Sequence, residues 1–212
     1  FSSAAFAAYL TDIAEAVTKR YKRKLRVETI YDTSENVMIA CTNNRNILIN
    51  TGNYISWSMP YRKLKAESIL GLVGHEVGHM LFTNFRISET YFSELSYGRL
   101  YPQMELSEEE QESFTEVTDY FKTGTEAQKQ AILKAAKLLL NILEDAYIEA
   151  RICDRYTGRF ATGIHLNNIR FTEMMPSVTE QLTNGCYRFS VFCNLLNQYC
   201  RSGDINNRDG YA

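Results

Sequence analysis

Apolar residues recur every three or four positions along residues 4–22, which predicts an amphipathic helix at the start of the chain. Three short runs rich in apolar and β-branched residues follow, and clusters of Asn, Asp and Ser separate them. Such clusters favour turns between strands. We therefore predict a small antiparallel sheet, with strands at residues 25–31, 37–42 and 47–51.

The helical period returns after Pro60 and dominates the rest of the chain. Capping signals open two of the predicted helices, Ser107-x-x-Glu110 and Thr125-x-x-Gln128. Residues 84–104 and 160–185 show no sustained period, so we expect irregular chain there, with short pieces of structure in the second segment. The helices of this half are predicted at residues 62–82, 107–121, 125–156 and 187–201.

These elements predict an α+β fold, in which a small antiparallel sheet precedes a mostly helical C-terminal half. The length of 212 residues suits one domain with a real core, and no repeat or linker divides it. We expect a single domain over residues 1–212. Its parts are a helix and sheet (1–60), a central helix (61–83) and a helical part (105–212) that includes the helix 126–156.

Composition narrows the classes of partner and compartment. The formal net charge of −2 does not favour nucleic-acid binding. No apolar run approaches the ~18 residues of a membrane span, and the start lacks the basic segment of a secretory signal. Five cysteines without CxxC spacing favour a reducing compartment, so we expect a cytoplasmic protein.

The chemistry concentrates in one motif of the central helix, His75-Glu76-Val77-Gly78-His79. It uses two of the three histidines in the chain. Histidines at i and i+4 lie about 40° apart on one helical face, so both can reach one metal ion. The intervening glutamate can face a water molecule instead. This HExxH arrangement is typical of zinc hydrolases, and it predicts one Zn²⁺ per chain, held by His75 and His79, with Glu76 as general base.

Three glycines share the neighbourhood of the histidine face, at Gly71, Gly74 and Gly78. Each costs about 1 kcal/mol relative to alanine inside a helix. Glycine lets another backbone approach closely. We therefore expect a second helix to pack there and to bring the third metal ligand, although the glycines could also accommodate a bulky core side chain.

The third ligand is sought among the acids, because catalytic zinc usually has three protein ligands and no further histidine follows at the spacing of the metzincins. Glu144, Asp145 and Glu149 lie in an otherwise apolar helical stretch. The helical wheel favours Asp145 or Glu149, which share a stripe with Asn141. We take Asp145 as the ligand, with Glu149 and Asn141 as supporting residues or alternatives. Glu144 and the isolated His165 stay open as candidates.

The two segments HEVGHMLFTNF and NILEDAYIEARI resemble the zinc metallopeptidases associated with von Willebrand factor A domains in bacteria and phages. That group includes relatives of the cobaltochelatase large-subunit partner and the nitric oxide reductase activation proteins. The resemblance covers about residues 36–155 and departs at Tyr147, where the family tends to have arginine. The matching residues are His75, Glu76, His79, Leu81, Phe82, Thr83, Asn141, Leu143, Glu144, Asp145, Ile148 and Glu149.

The resemblance implies a zincin-like fold of the gluzincin type and a zinc site that hydrolyses peptide bonds. In zincins an edge strand can hold an extended peptide by main-chain pairing, and we expect residues 47–51 near that edge. The implied partners are a peptide or protein substrate and a von Willebrand A domain or ATPase. No DxSxS motif of such a domain occurs, so it would lie beyond Ala212.

Two functions remain open at this point. The first is a zinc metallopeptidase in which Glu76 activates a water for attack on a peptide carbonyl. The alternative is a catalytically silent zinc-containing module that binds or scaffolds a partner.

Overall fold

A computed structural model describes residues 1–21, 24–34 and 37–206. These residues form a mixed α/β fold that is mostly helical with one three-stranded sheet, which confirms the α+β expectation. Chain order gives α1 (Ala4–Thr18), β1 (Arg26–Ile30), β2 (Ala40–Thr42), β3 (Asn46–Asn50), α2 (Tyr54–Trp57), α3 (Arg62–Phe82), α4 (Phe85–Ser96), α5 (Glu108–Thr123), α6 (Glu126–Arg155), α7 (Arg159–Met174), α8 (Val178–Thr183) and α9 (Arg188–Ser202).

The sheet is mixed, and the predicted antiparallel arrangement is wrong. The strand order is β1-β3-β2, with β3 parallel to β1 and antiparallel to β2. Strand β3 therefore lies at the centre, and the expectation that residues 47–51 form an edge is also wrong. The reason is burial, because Ile47 and Ile49 are fully buried in the middle of the sheet. Local turn signals identify a reversal of the chain but do not specify which strands become neighbours.

Two segments predicted to be mostly irregular contain helices, α4 in the first and α7 and α8 in the second, whereas residues 97–104 are irregular as predicted. Asn84 caps α4, with its side-chain oxygen accepting a hydrogen bond from the Ile87 backbone N–H at 3.2 Å. Helix α7 escapes prediction because its inward face carries Gly163, Asn167 and Asn168 among its apolar residues. Polar residues on a buried face hide the helical period.

The remaining predicted boundaries differ by only a few residues where they can be compared. Helix α1 ends at Thr18, before Lys19 in the left-handed region (φ 56°). Its predicted end at residue 22, and part of the turn predicted at residues 32–36, lie outside the described residues. Within the described residues, none of the helices combines the length and apolar character needed to cross a bilayer.

The chain divides into two compact units. The first unit comprises Phe1–Thr83 and the described residues from Ile142 onward. Its core joins the sheet to α3, where Ile69, Val73 and Val77 are fully buried. Helices α1, α6 and α7 contribute further side chains to this core. The single domain predicted from sequence stays a prediction.

The second unit is Asn84–Asn141 and contains α4, α5 and the first part of α6. The predicted capping box at Ser107 is confirmed, since Ser107 and Glu110 exchange side-chain to backbone hydrogen bonds at 3.3 and 2.8 Å. The Thr118 hydroxyl donates to the Gly98 carbonyl at 3.4 Å, which links α5 to the end of α4.

Candidate metal centre

The HExxH residues lie on α3, whose predicted bounds of 62–82 are confirmed. His75 and His79 project from one face of the helix, with ring centroids 4.9 Å apart. Their side chains are 16% and 18% exposed, so both rings are largely covered. Both Nε2 atoms approach the same carboxylate, that of Asp145.

The glycines of α3 meet the neighbouring helices in two ways, by backbone contact with α7 and by contact with bulky side chains of α6 and α7. A Cβ at Gly71 would overlap the backbone of Gly163 on α7, and one at Gly78 would lie 3.1 Å from a side-chain atom of Ile152 on α6. The expectation that one helix packs at the glycines and brings the third ligand is therefore wrong at Gly71, because α7 carries none of the three cluster residues. The alternative, that glycines accommodate bulky side chains, holds at Gly74, beside Phe160, and at Gly78. Helix α7 makes the backbone contact at Gly71, whereas α6 carries Asp145 past Gly78.

Asp145 completes a cluster of three side chains that could hold a metal ion. Its Oδ1 lies 3.6 Å from Nε2 of His75 and 3.3 Å from Nε2 of His79. Ligand atoms of all three residues fall within 4.8 Å of one another. The carboxylate is 26% exposed, which leaves the cluster accessible from solvent.

Glu149 occupies the layer behind the cluster. Its Oε1 lies 2.8 Å from Nδ1 of His75 and 2.5 Å from the Arg201 guanidinium. The Asn168 amide donates to Oε2 at 2.6 Å. Glu149 therefore lies behind His75, at the ring nitrogen opposite the one that faces Asp145.

Charges around Glu149 keep this buried acid ionised. Burial alone would raise its pKa, but the hydrogen bond with His75 and the charge of Arg201 outweigh burial and lower the pKa of Glu149 to about 2. Burial would also lower the pKa of His75, yet the hydrogen bond and charge of Glu149 raise it. A carboxylate at Nδ1 favours the His75 tautomer with hydrogen on Nδ1, so Nε2 is free to accept a metal ion.

Glu76 is buried beside the cluster, with 5% of its surface exposed. Burial raises the pKa of its carboxyl group, and the nearby charges of His75 and His79 oppose that rise. Among the described residues its carboxylate has no hydrogen-bond partner. It is therefore free to accept a proton from a molecule in the adjoining cavity.

A cavity of about 180 Å³ adjoins the cluster within the first unit. Its polar wall combines the site residues with the amides of α7, while Phe171 and residues of the sheet form apolar parts of the wall. Ile39 and Ala40 bring the edge strand β2 to the cavity. The polar lining residues are His75, Glu76, Asp145, Glu149, Asn167, Asn168 and Arg201.

Three residues of this site could not be assigned a role from the sequence. Arg201 and Asn168 hold Glu149, and the Thr83 hydroxyl lies 2.9 Å from Nδ1 of His79. An arginine near a helix end carries no local signal of such a role. The adjacent amides Asn167 and Asn168 were the available clue in the sequence. In the structure both are buried where α7 meets the site.

The other sequence candidates are absent from the cluster. Glu144 is half-buried on α6, and Asn141 is exposed in the second unit. His165 is exposed on α7 and does not line the cavity. Tyr147, where the resembling family tends to have arginine, is 54% exposed.

We expect Arg201→Met to lower the free energy of unfolding of the metal-free protein by about 3 kcal/mol, because it leaves the buried Glu149 carboxylate without its cation. Urea unfolding measures this change. Arg201→Lys retains the charge and should recover part of the loss. The double variant Glu149→Gln with Arg201→Met should be more stable than Arg201→Met alone. Wild-type stability in Arg201→Met would contradict the assigned pairing.

Comparison with known proteins supplies no relative. No family model matches the chain, and neither a curated protein nor a solved structure matches it. The chemistry of the site therefore has to be inferred from its own residues.

Proposed function

We propose that this protein is a zinc-dependent peptidase with Glu76 as general base. The observation that carries the proposal is the convergence of His75, His79 and Asp145 beside the buried Glu76. Glu76 lines one cavity together with His75 and Asp145. Two nitrogen ligands, one carboxylate and an accessible fourth side match the pattern of catalytic zinc sites, which keep one position open.

The distances within the cluster support zinc. Ligand atoms about 2.0–2.2 Å from a tetrahedral ion are separated from one another by about 3.3–3.6 Å. The two Nε2 to Oδ1 separations are 3.6 and 3.3 Å. Two imidazoles and one carboxylate are donors that suit zinc better than the oxygen-seeking Mg²⁺ or Ca²⁺.

A bound zinc ion supplies Lewis acidity, which acidifies water and polarises a carbonyl group. The Glu76 carboxylate accepts the proton of the attacking water and returns it to the leaving amine. Glu149 holds His75 in one orientation, as Thr83 does for His79, so that neither ring must reorganise.

We propose that an extended peptide lies along β2. That strand is an edge strand among the described residues, and Ile39 and Ala40 place it at the cavity. Main-chain pairing to an edge strand binds peptides of many sequences, since it uses backbone groups alone. We also propose a zincin-like arrangement, in which the edge of the sheet and the HExxH helix share one cleft. A further part of the proposal is that the protein is cytoplasmic.

The test is metal analysis combined with peptide profiling. We expect about one zinc per chain, and cleavage of a diverse peptide mixture detected by mass spectrometry. A chelator should abolish the cleavage and added zinc should restore it, because the ion is needed for the chemistry. Zinc-loaded, folded protein that cleaves no peptide would overturn the peptidase proposal and favour a zinc-containing binding module.

A further inference from the structure

A second cavity of the first unit has aromatic walls. Its volume is about 710 Å³, and Tyr31, Tyr54 and Trp57 line it. Each of these rings is about half exposed, and the rings of Tyr31 and Trp57 meet edge-on with centroids 5.9 Å apart. Half-exposed aromatic rings around one depression offer π-faces to a ligand. We call this depression the aromatic cavity.

Asp32 is the charged residue among the described residues that line the aromatic cavity. Its Oδ1 accepts hydrogen bonds from the Ser34 backbone N–H at 2.8 Å and from the Ser34 hydroxyl at 2.6 Å. Those bonds hold the pKa of Asp32 below its usual range, so the group is ionised at neutral pH. Among the described residues its Oδ2 has no hydrogen-bond partner and is available to a ligand.

The side chain of Asn50 fixes the backbone of Asp32. The buried Asn50 side chain accepts from the Asp32 N–H at 3.0 Å and donates to the Asp32 carbonyl at 2.8 Å. Gly52 permits this close packing, since a Cβ there would lie 2.9 Å from the Asp32 carbonyl oxygen. The carboxylate is thus presented at one position, which reduces the entropy lost when a ligand binds.

The aromatic cavity adjoins the candidate metal centre. Tyr54 lines the aromatic cavity, and its neighbour Ile55 lines the cavity of the metal centre. On the segment that leads into β2, Val37 lines the aromatic cavity and Ile39 lines the cavity of the metal centre.

We infer that the aromatic cavity is a substrate subsite that binds a lysine or arginine side chain, two or three residues from the scissile bond. The inference rests on the proposed peptidase function. A peptide aligned with β2 advances about 3.3 Å per residue, so Val37 lies two or three positions beyond Ile39 and Ala40.

A cation satisfies both features of the aromatic cavity. Its charge pairs with Asp32, and its alkyl stem or guanidinium plane packs against the rings. The ammonium group of Lys65, which does not line the aromatic cavity, already lies 4.0 Å from the centroid of the Trp57 ring. One face of that ring is therefore already covered by a cation of the protein, and a ligand cation pairs with Asp32 and packs against the other rings. A neutral aromatic side chain would instead cover the Asp32 carboxylate without giving it a partner.

Trp57 is the only tryptophan of the chain, so intrinsic fluorescence reports on this cavity. The probes are two blocked hexapeptides, identical except that one carries arginine and the other its uncharged isostere citrulline. They are titrated into zinc-loaded Glu76→Gln protein, in which cleavage is suppressed. We expect the arginine peptide to bind about three- to tenfold more tightly, as an exposed ion pair with a cation–π contact allows.

Asp32→Asn in the same background should abolish the difference, while Asp12→Asn, at an exposed acid of α1, should preserve it. Equal binding of the two peptides, or a preference that persists in Asp32→Asn, would overturn the subsite. If the wild-type protein cleaves peptides without a preference for basic residues, the subsite is overturned and the proposed peptidase function stands. A preference that depends on Asp32, with no cleavage by wild-type protein, would refute the peptidase and leave a binding site for basic peptides.

Discussion

Glu76→Gln should lower the rate of peptide cleavage by about 10²- to 10⁴-fold and leave the zinc content unchanged. The substitution keeps the size of the side chain but removes its ability to accept a proton. Glu76 is not among the three residues of the metal cluster, so the substitution should not weaken the binding of zinc. Initial rates on a fluorogenic peptide and metal analysis of the same sample measure the two effects.

Glu67→Gln is the matched control, because Glu67 lies on the same helix and does not line the cavity. It should retain wild-type cleavage. Full activity in a zinc-loaded Glu76→Gln protein would refute the role of Glu76 as general base. Loss of zinc from that variant would instead show that Glu76 binds the ion.

Asp145→Ala should weaken zinc binding by more than about 100-fold, a larger effect than the 10- to 100-fold typical of residues behind the ligands. The variant loses the only carboxylate of the cluster and leaves two imidazoles. We expect zinc in the purified variant to fall from about one per chain to near zero after dialysis. Competition with a chromophoric chelator gives the dissociation constant.

Glu144→Ala is the matched control, since Glu144 is the adjacent acid of α6 but lies outside the cluster. It should bind zinc as the wild type does. Glu149→Gln should fall between the two, because it weakens the support of His75 without removing a ligand. The reverse order, with Glu144→Ala losing the metal, would refute Asp145 as the third ligand.

Local sequence signals predicted the helices well where their apolar face was continuous. Helix α3 has the predicted bounds, and α5 begins at the predicted capping box of Ser107. Helix α7 was not predicted, because Asn167 and Asn168 occupy its buried face. Asn168, which donates to Glu149 behind the candidate metal centre, and Asn167, which bonds Ser68, thus concealed the helix that carries them.

The helical wheel identified the correct region of α6 and left several candidates there for the third metal ligand. It placed Asp145 and Glu149 on one stripe, and both reach His75 in the folded protein. It could not rank them, because the choice depends on how far along α3 the helix α6 packs. That position is set where Gly78 meets Ile148 and Ile152.

Spacings within single elements were enough to predict the α+β composition and the proximity of His75 to His79. Tertiary structure decided the position of β3 at the centre of the sheet, the place of Asp145 beside the two histidines and that of Glu149 behind them. It also brought Arg201, 52 residues away along the chain, to the Glu149 carboxylate. The physical reason is that periodicity encodes which residues share a face, whereas close packing at glycines decides which faces meet.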